Sequence, residues 1–208
     1  MTKIHISFFA LALLSVLWIG ACSKNDSNPV TPNSSGGVFP LAVGNKWLLQ
    51  KYTYDNASGG MKASSVDTMK IVQDTLIRNE KWFTTGNGSY MTNRTGGTWL
   101  YDANTSMQLY LKYPAQVDDS YRVIQGDSVN SYDTMLVKML SINQSVTVPA
   151  GTFSCMTYQI TYASSKTIRT LQFAPGKGLV FKQTEGENPV NGEVIVLTKS
   201  ELMSYSVQ

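Results

Sequence analysis

Histidine and cysteine are nearly missing from this chain, and each shortage removes a class of chemistry. His5 is the single histidine, and Cys22 and Cys155 are the two cysteines. That inventory leaves no multi-disulfide framework, no zinc cluster and no c-type haem attachment, because each needs several such residues at close spacing. Charge is scarce as well. Only 15% of the 208 residues are charged, the formal net is +3, and no run of Lys or Arg concentrates a field, so nucleic acid is not an expected partner. No apolar run reaches the ~20 residues that a membrane-spanning helix needs. What the chain does have is aromatic side chains, 4 Trp, 11 Tyr and 7 Phe, within a 42% hydrophobic composition that excludes a largely disordered polypeptide.

Residues 1–21 read as a signal peptide. Lys3 and His5 precede an apolar run from Phe8 to Ile19, and the small residues Gly20 and Ala21 close it. Ile19-Gly20-Ala21-Cys22 resembles the lipobox of bacterial lipoproteins, which implies that Cys22 is acylated and becomes the first mature residue. Each buried CH₂ contributes ~0.8 kcal/mol, so two or three acyl chains would hold the protein on a membrane that it does not span. Residues 22–38 are then a lipidated cysteine and a flexible tether, since Ser, Asn, Pro, Thr and Gly cannot bury enough apolar surface to offset ordering entropy. Loss of the leader takes His5 with it, leaving a mature chain without imidazole. Cys155 remains as a lone thiol. With no His or basic cluster beside it to lower its pKa, it is expected to pack as a small hydrophobe next to Phe153.

Residues 39–208 are expected to form a single all-β domain. Period-two alternation is clear in residues 47–54, 107–113 and 156–162, which are rich in Val, Ile, Thr and Tyr and are cut by Gly, Asn, Asp and Pro. Residues 74–83 read as a tight hairpin with Asn79-Glu80 at its tip, and Pro149-Ala150-Gly151 suits a type I turn. The fold class expected is mainly β, an antiparallel open or half barrel of about a dozen short strands, with a β-sandwich as the alternative. An internal echo points to two similar β-meander halves. Pro40, Val43 and Trp47 around Gly44-Asn45 answer Pro114, Val117 and Tyr121 around Asp118-Asp119, and Asp67-Thr68-Met69 answers Asp133-Thr134-Met135.

Catalysis would have to be built without histidine, which leaves paired carboxylates cleaving a glycosidic bond as the enzyme reading, with Asp118, Asp119, Glu185 and Glu187 as candidates. All four lie in polar stretches beside turn residues, where carboxylates are ordinarily solvated. The expectation is therefore no enzyme, no catalytic residue, no cofactor and no metal. Asp118, Asp119 and Asp127 lack the regular ligand spacing of a calcium loop. The two glycines of Phe173-Ala174-Pro175-Gly176-Lys177-Gly178-Leu179 precede a strand rather than a helix, so they mark a turn and not a phosphate cradle. Trp47, Tyr52, Tyr54, Trp82, Phe83, Tyr90, Trp99, Tyr101, Tyr110 and Tyr113 are expected mostly in the core, with a sugar-stacking surface or an acyl pocket as the functional alternative.

Taken with the leader and tether, three phrases carry a family likeness. They are residues 39–47, Val148-Pro149-Ala150-Gly151-Thr152-Phe153, and Ala174-Pro175-Gly176-Lys177-Gly178-Leu179-Val180, and they resemble the uncharacterised envelope lipoproteins common in Bacteroidota-type bacteria. The resemblance implies a lipid-anchored protein of the cell envelope. Ser23, in place of the Asp that retains lipoproteins in the inner membrane, favours the outer membrane, with the leaflet open. It also implies O-glycosylation at Asp, then Ser or Thr, then an aliphatic residue or Met, which matches Thr68, Thr75, Ser128 and Thr134. The partners expected are a membrane through the anchor and a lipid, glycan or envelope protein. The functional expectation is a binding protein whose curved sheet cups an apolar or lipid-like ligand, loosely similar to the half-barrels of lipoprotein-carrier and receptor factors. An interaction module presenting loops is the alternative, and a carboxylate-dependent hydrolase the third reading.

Overall fold

A computed structural model describes residues 37–102, 106–128 and 131–208; Cys22, the leader and most of the tether lie outside the described residues. The chain runs as two six-stranded meanders. The first comprises β1 (Lys46–Tyr54), β2 (Met61–Ile77), β3 (Glu80–Thr85), β4 (Tyr90–Arg94), β5 (Gly96–Asp102) and β6 (Ser106–Tyr113). The second comprises β7 (Ser120–Ser128), β8 (Ser131–Val148), β9 (Gly151–Tyr162), β10 (Ile168–Ala174), β11 (Gly178–Glu187) and β12 (Val194–Ser206). Pairing of β1 with β12 joins them into one antiparallel sheet in the order β6-β5-β4-β3-β2-β1-β12-β11-β10-β9-β8-β7. The sheet curls into a nearly closed barrel with one unsealed seam, where the edge strands β6 and β7 meet. The barrel form of the expected fold class is what forms, and the sandwich is not.

The echo in the sequence marks the same turn at the head of each meander. Gly44 N–H donates to Ile71 O at 3.0 Å, Asn45 N–H to Ala42 O at 3.1 Å, and Ile71 N–H to Asn45 O at 2.9 Å. In the second half Asp118 N–H donates to Met139 O at 2.9 Å, Asp119 N–H to Gln116 O at 3.1 Å, and Met139 N–H to Asp119 O at 2.9 Å. Gly44 and Asp118 both take a positive φ, 95° and 69°, to make the bend. These bonds align Ile71 with Met139, whereas the sequence match aligns Ile71 with Val137. A slip of two residues leaves every side chain on its own face, which is why composition could not detect it.

Two details differ from the sequence reading. The strands are not all short, since β2 has 17 residues and β8 has 18, and each is the second strand of its meander. The β2–β3 hairpin turns on Arg78-Asn79, with φ of 52° and 65°, one residue earlier than expected. Glu80 is drawn into the ladder opposite Ile77, and two consecutive positive φ values give the twist that a two-residue hairpin requires.

Alternation along each strand fills the barrel. Met135, Val137 and Met139 on β8, Tyr158 and Ile160 on β9, and Leu171 and Phe173 on β10 are buried together. One end is closed by the segment before β1. Val38 is fully buried and Phe39 is 1% exposed, so packing starts slightly ahead of Phe39. Phe39 stacks on Trp47 at 4.7 Å between centroids, and its carbonyl accepts a bond from Asn93 Nδ2 at 2.8 Å. Buried Asn45 ties both termini of the domain together, donating to Pro40 O at 2.9 Å and accepting from Gln208 N–H at 3.0 Å.

Side chains stitch the seam that the backbone leaves open. Tyr121 Oη on β7 donates to Tyr110 O at 2.7 Å and accepts from Lys112 N–H at 3.0 Å. Tyr158 Oη donates to Lys112 O at 2.7 Å, and the Gln108 side-chain amide pairs with both the N–H and the carbonyl of Ile124 as a strand would. Lys112 Nζ also meets Asp119 Oδ2 at 2.9 Å. Burial pushes both tyrosine hydroxyls well above their ordinary pKa, so they remain neutral donors. Tyr121→Phe strands one N–H and one carbonyl of the edge strand and is expected to cost about 1–3 kcal/mol in urea unfolding. A loss near zero would show that water replaces the hydroxyl and that the seam is not held there.

Candidate ligand-binding cavity

Strand alternation does not fill the barrel completely. A half-open cavity of about 420 Å³ is lined by apolar residues that include Phe39, Leu171, Phe173 and Leu179 and, in nearly equal part, by polar groups that include Arg169, Lys182 and the exposed Asp67. That volume falls within the roughly 300–1,000 Å³ of small-molecule sites. Both meanders contribute, so the cavity belongs to the closed sheet and to no local motif. Leu49 and Asp67 face each other across β1 and β2, and Leu171 faces Lys182 across β10 and β11.

Register places the charges. Arg169 pairs with Thr184 on β11, so Lys182 is its diagonal neighbour on the same face, about 7 Å away between Cβ atoms. Lys182 continues through Ser200 on β12 to Lys51 on β1, each the cross-strand partner of the last. The inward-facing charged set is thus Lys51, Arg169 and Lys182 against Asp67. Among the described residues no carboxylate forms an ion pair with Arg169 or Lys182. The Arg169 guanidinium lies over the Tyr162 ring at 4.9 Å, while its Nε is buried without a hydrogen-bond partner.

Burial lowers the pKa of Lys182, and the positive charges of Arg169 and Lys51 add to the effect while Asp67 opposes it. The unfolded chain binds more protons than the folded one between that depressed value and the ordinary 10.5, so stability rises with pH across this window. Below it the folded protein carries a desolvated cation at a cost. Tyr110 also lines the cavity, and burial pushes its hydroxyl up to about 12.

The sequence-derived candidates fall elsewhere. Asp118 is exposed and paired with Lys138 at 2.9 Å, and Asp119 is held below the usual carboxylate range by the Gln116 N–H and by Lys112. Glu185 accepts from Gln183 Nε2 at 2.8 Å on the outer face of β11, and Glu187 is exposed near that strand's end. The four carboxylates are therefore not gathered around the cavity. Cys155 is fully buried, and burial pushes its thiol up to about 12, as suits a packed hydrophobe and not a nucleophile. Gly176 and Gly178 form the turn into β11, where Lys177 O accepts the Trp47 indole N–H at 2.6 Å.

Among solved structures the chain is similar to a Bacteroides fragilis protein described as exported and as having a YmcC-like fold, with 16% identity over 82% of this chain and 99% of that one, at a TM-score of 0.48. Scans against known protein families and curated proteins find no match.

Of the residues marked for O-glycosylation, Thr68 and Thr75 lie within β2 and Thr134 within β8, with Thr68 and Thr134 exposed. Ser128 ends β7, and its side chain lies outside the described residues. Asp67 and Asp74 sit inside a long strand and not in the turns where strands begin.

The aromatics divide between two faces. Trp47, Phe83 and Tyr110 pack on the barrel interior. Trp82, Tyr90, Trp99 and Tyr101 leave by the opposite face of β3–β5, where Trp82 is nevertheless fully buried. Arg94 covers it, with its guanidinium 5.3 Å from the Trp82 ring and 5.0 Å from the Trp99 ring. Glu80 Oε1 accepts from Arg94 Nε at 2.7 Å, which lowers the Glu80 pKa and raises that of Arg94. Sequence reasoning missed the cavity cations: Arg169 shares the parity of Leu171 and Phe173, but only the register of β10 on β11 sets Lys182 beside it.

Proposed function

We propose that this chain is a lipid-anchored protein of the cell envelope, with outer-membrane placement, that binds an apolar or lipid-like ligand inside its barrel and performs no catalysis. The observation that carries the reading is the cavity of about 420 Å³ framed by strands of both meanders. A sheet of this size gains most from a filled interior, so a retained volume that joins Leu, Met and Phe side chains to an equal share of polar groups suits a ligand with both characters. The leader, the lipobox ending at Cys22 and the polar tether support the address. An interaction module is the second reading, favoured by Ile124, Leu136, Leu140 and Ile142, which are apolar and exposed on β7 and β8.

The test uses the full chain, made in a host that processes lipoproteins and examined by native mass spectrometry. The wild type is expected to remain with membranes, to show an acyl mass at the N-terminus and to carry a noncovalent lipid-sized adduct. Cys22→Ala should abolish the acyl mass and release the protein while leaving the adduct. A free, unmodified wild-type chain would sink the address. Absence of any adduct, together with no thermal shift across lipids, would sink the binding role.

A further inference from the structure

The cavity holds more positive charge than a purely apolar ligand explains. Two cations sit as diagonal neighbours on one inward face, a third lies on the same rung two strands away, and Asp67 is the acid placed against them. Lys51, Arg169 and Lys182 are each half-buried, so their mutual repulsion is only partly screened by solvent and an anion placed between them relieves it. The Arg169 Nε is already desolvated and has no acceptor among the described residues. Its position over Tyr162 fixes the guanidinium plane beside the cavity, as a preset recognition group requires. Along β10 the lining passes from Arg169 to Leu171, whose rung partner on β11 is Lys182, and then to the apolar rung of Phe173 and Leu179. Charge and grease are therefore arranged in sequence along a single strand.

We propose that the ligand is an amphiphile with an anionic head group, its head held between Arg169 and Lys182 and its apolar body lying against Leu171, Phe173 and Leu179. This rests on the cavity being a ligand site and adds the chemistry of the head. A carboxylate or phosphate accepts from both cations at once, and the fork of Arg169 offers paired donors to either. Lys182, whose pKa burial lowers, gains a counter-charge when the head group enters.

Isothermal titration of the full chain in amphipol against dodecanoate, dodecyl phosphate, dodecanol and inorganic phosphate tests this. At least one of the two anionic amphiphiles should bind ten times or more tighter than dodecanol, with inorganic phosphate alone showing no measurable binding. Arg169→Gln and Lys182→Met should each weaken the anionic amphiphile about tenfold and leave dodecanol unchanged. Lys182→Met should also raise the melting temperature, because it removes a desolvated charge. Equal binding of dodecanol and both anionic amphiphiles would overturn the head-group assignment while leaving the cavity a binding site. Binding of none of the probes would overturn both. Inorganic phosphate binding as tightly as dodecyl phosphate would make this a free-anion site and defeat the amphiphile. Lost binding together with a lower melting temperature in Lys182→Met would mark the lysine as structural and also overturn the assignment.

Discussion

Trp47→Ala is expected to destabilise the domain by about 4 kcal/mol in urea unfolding, the range of buried Trp and Phe truncations. The indole is fully buried and closes one end of the barrel with Phe39, which also meets Phe173 edge-on at 5.8 Å. Truncation removes that stack and strands the Lys177 carbonyl, so two losses add. Trp47→Phe keeps most of the apolar area and loses the hydrogen bond alone, for an expected cost of about 1–2 kcal/mol. A Trp47→Ala loss below 1 kcal/mol on that scale would mean that the segment around Phe39 collapses into the space, and that this end of the barrel is not held by the stack.

Gly97→Ala is expected to be nearly as damaging, for a backbone reason. Gly97 has φ of 145°, and a Cβ there would lie 2.0 Å from the carbonyl oxygen of Leu111. A methyl group cannot occupy that space while β5 and β6 remain paired, so the ladder at Gly97–Lys112 and Thr98–Leu111 must open. The expected cost is about 3 kcal/mol or more, with hydrogen exchange accelerated first in β6. Gly96→Ala is the control. Its φ is also positive, at 94°, yet nothing lies within 4 Å of the added carbon. Only the left-handed penalty of about 1–2 kcal/mol applies there. Equal losses at the two positions would show that conformation, and not the close approach of Leu111, is what matters. Because β6 is also the strand that Tyr121 and Tyr158 hold at the seam, Gly97→Ala is expected to loosen the barrel where its sheet ends.

Much of the sheet was legible because alternation is a local signal. The runs at residues 47–54, 107–113 and 156–162 fall inside β1, β6 and β9, and the glycine turn at residues 174–178 leads into β11. The turn before each meander was legible for the same reason, since Gly44 and Asp118 occupy equivalent bends in short, recognisable phrases. Legibility stopped where register decides. The two-residue slip of the second echo and the one-residue shift of the hairpin tip depend on which pairs complete a ladder. The buried outer cluster around Trp82 was equally hidden. Its burial comes from Arg94 and Glu80 reaching across neighbouring strands, and no property of Trp82 in sequence distinguishes that site from the core.

By itself the sequence determined the strand-rich class, the poverty of histidine, and the order of an apolar run, two small residues and Cys22 at the N-terminus, because each is a matter of residue type or near-neighbour order. Tertiary structure alone decided that Arg169, Lys182 and Lys51 share an interior face with Leu171 and Phe173. Arg169, Leu171, Phe173 and Lys182 share one hairpin, but Lys51 lies far away along the chain, and only the pairing of β1 with β12, with the curl that follows from it, brings the first meander's charges onto the same wall as the second's.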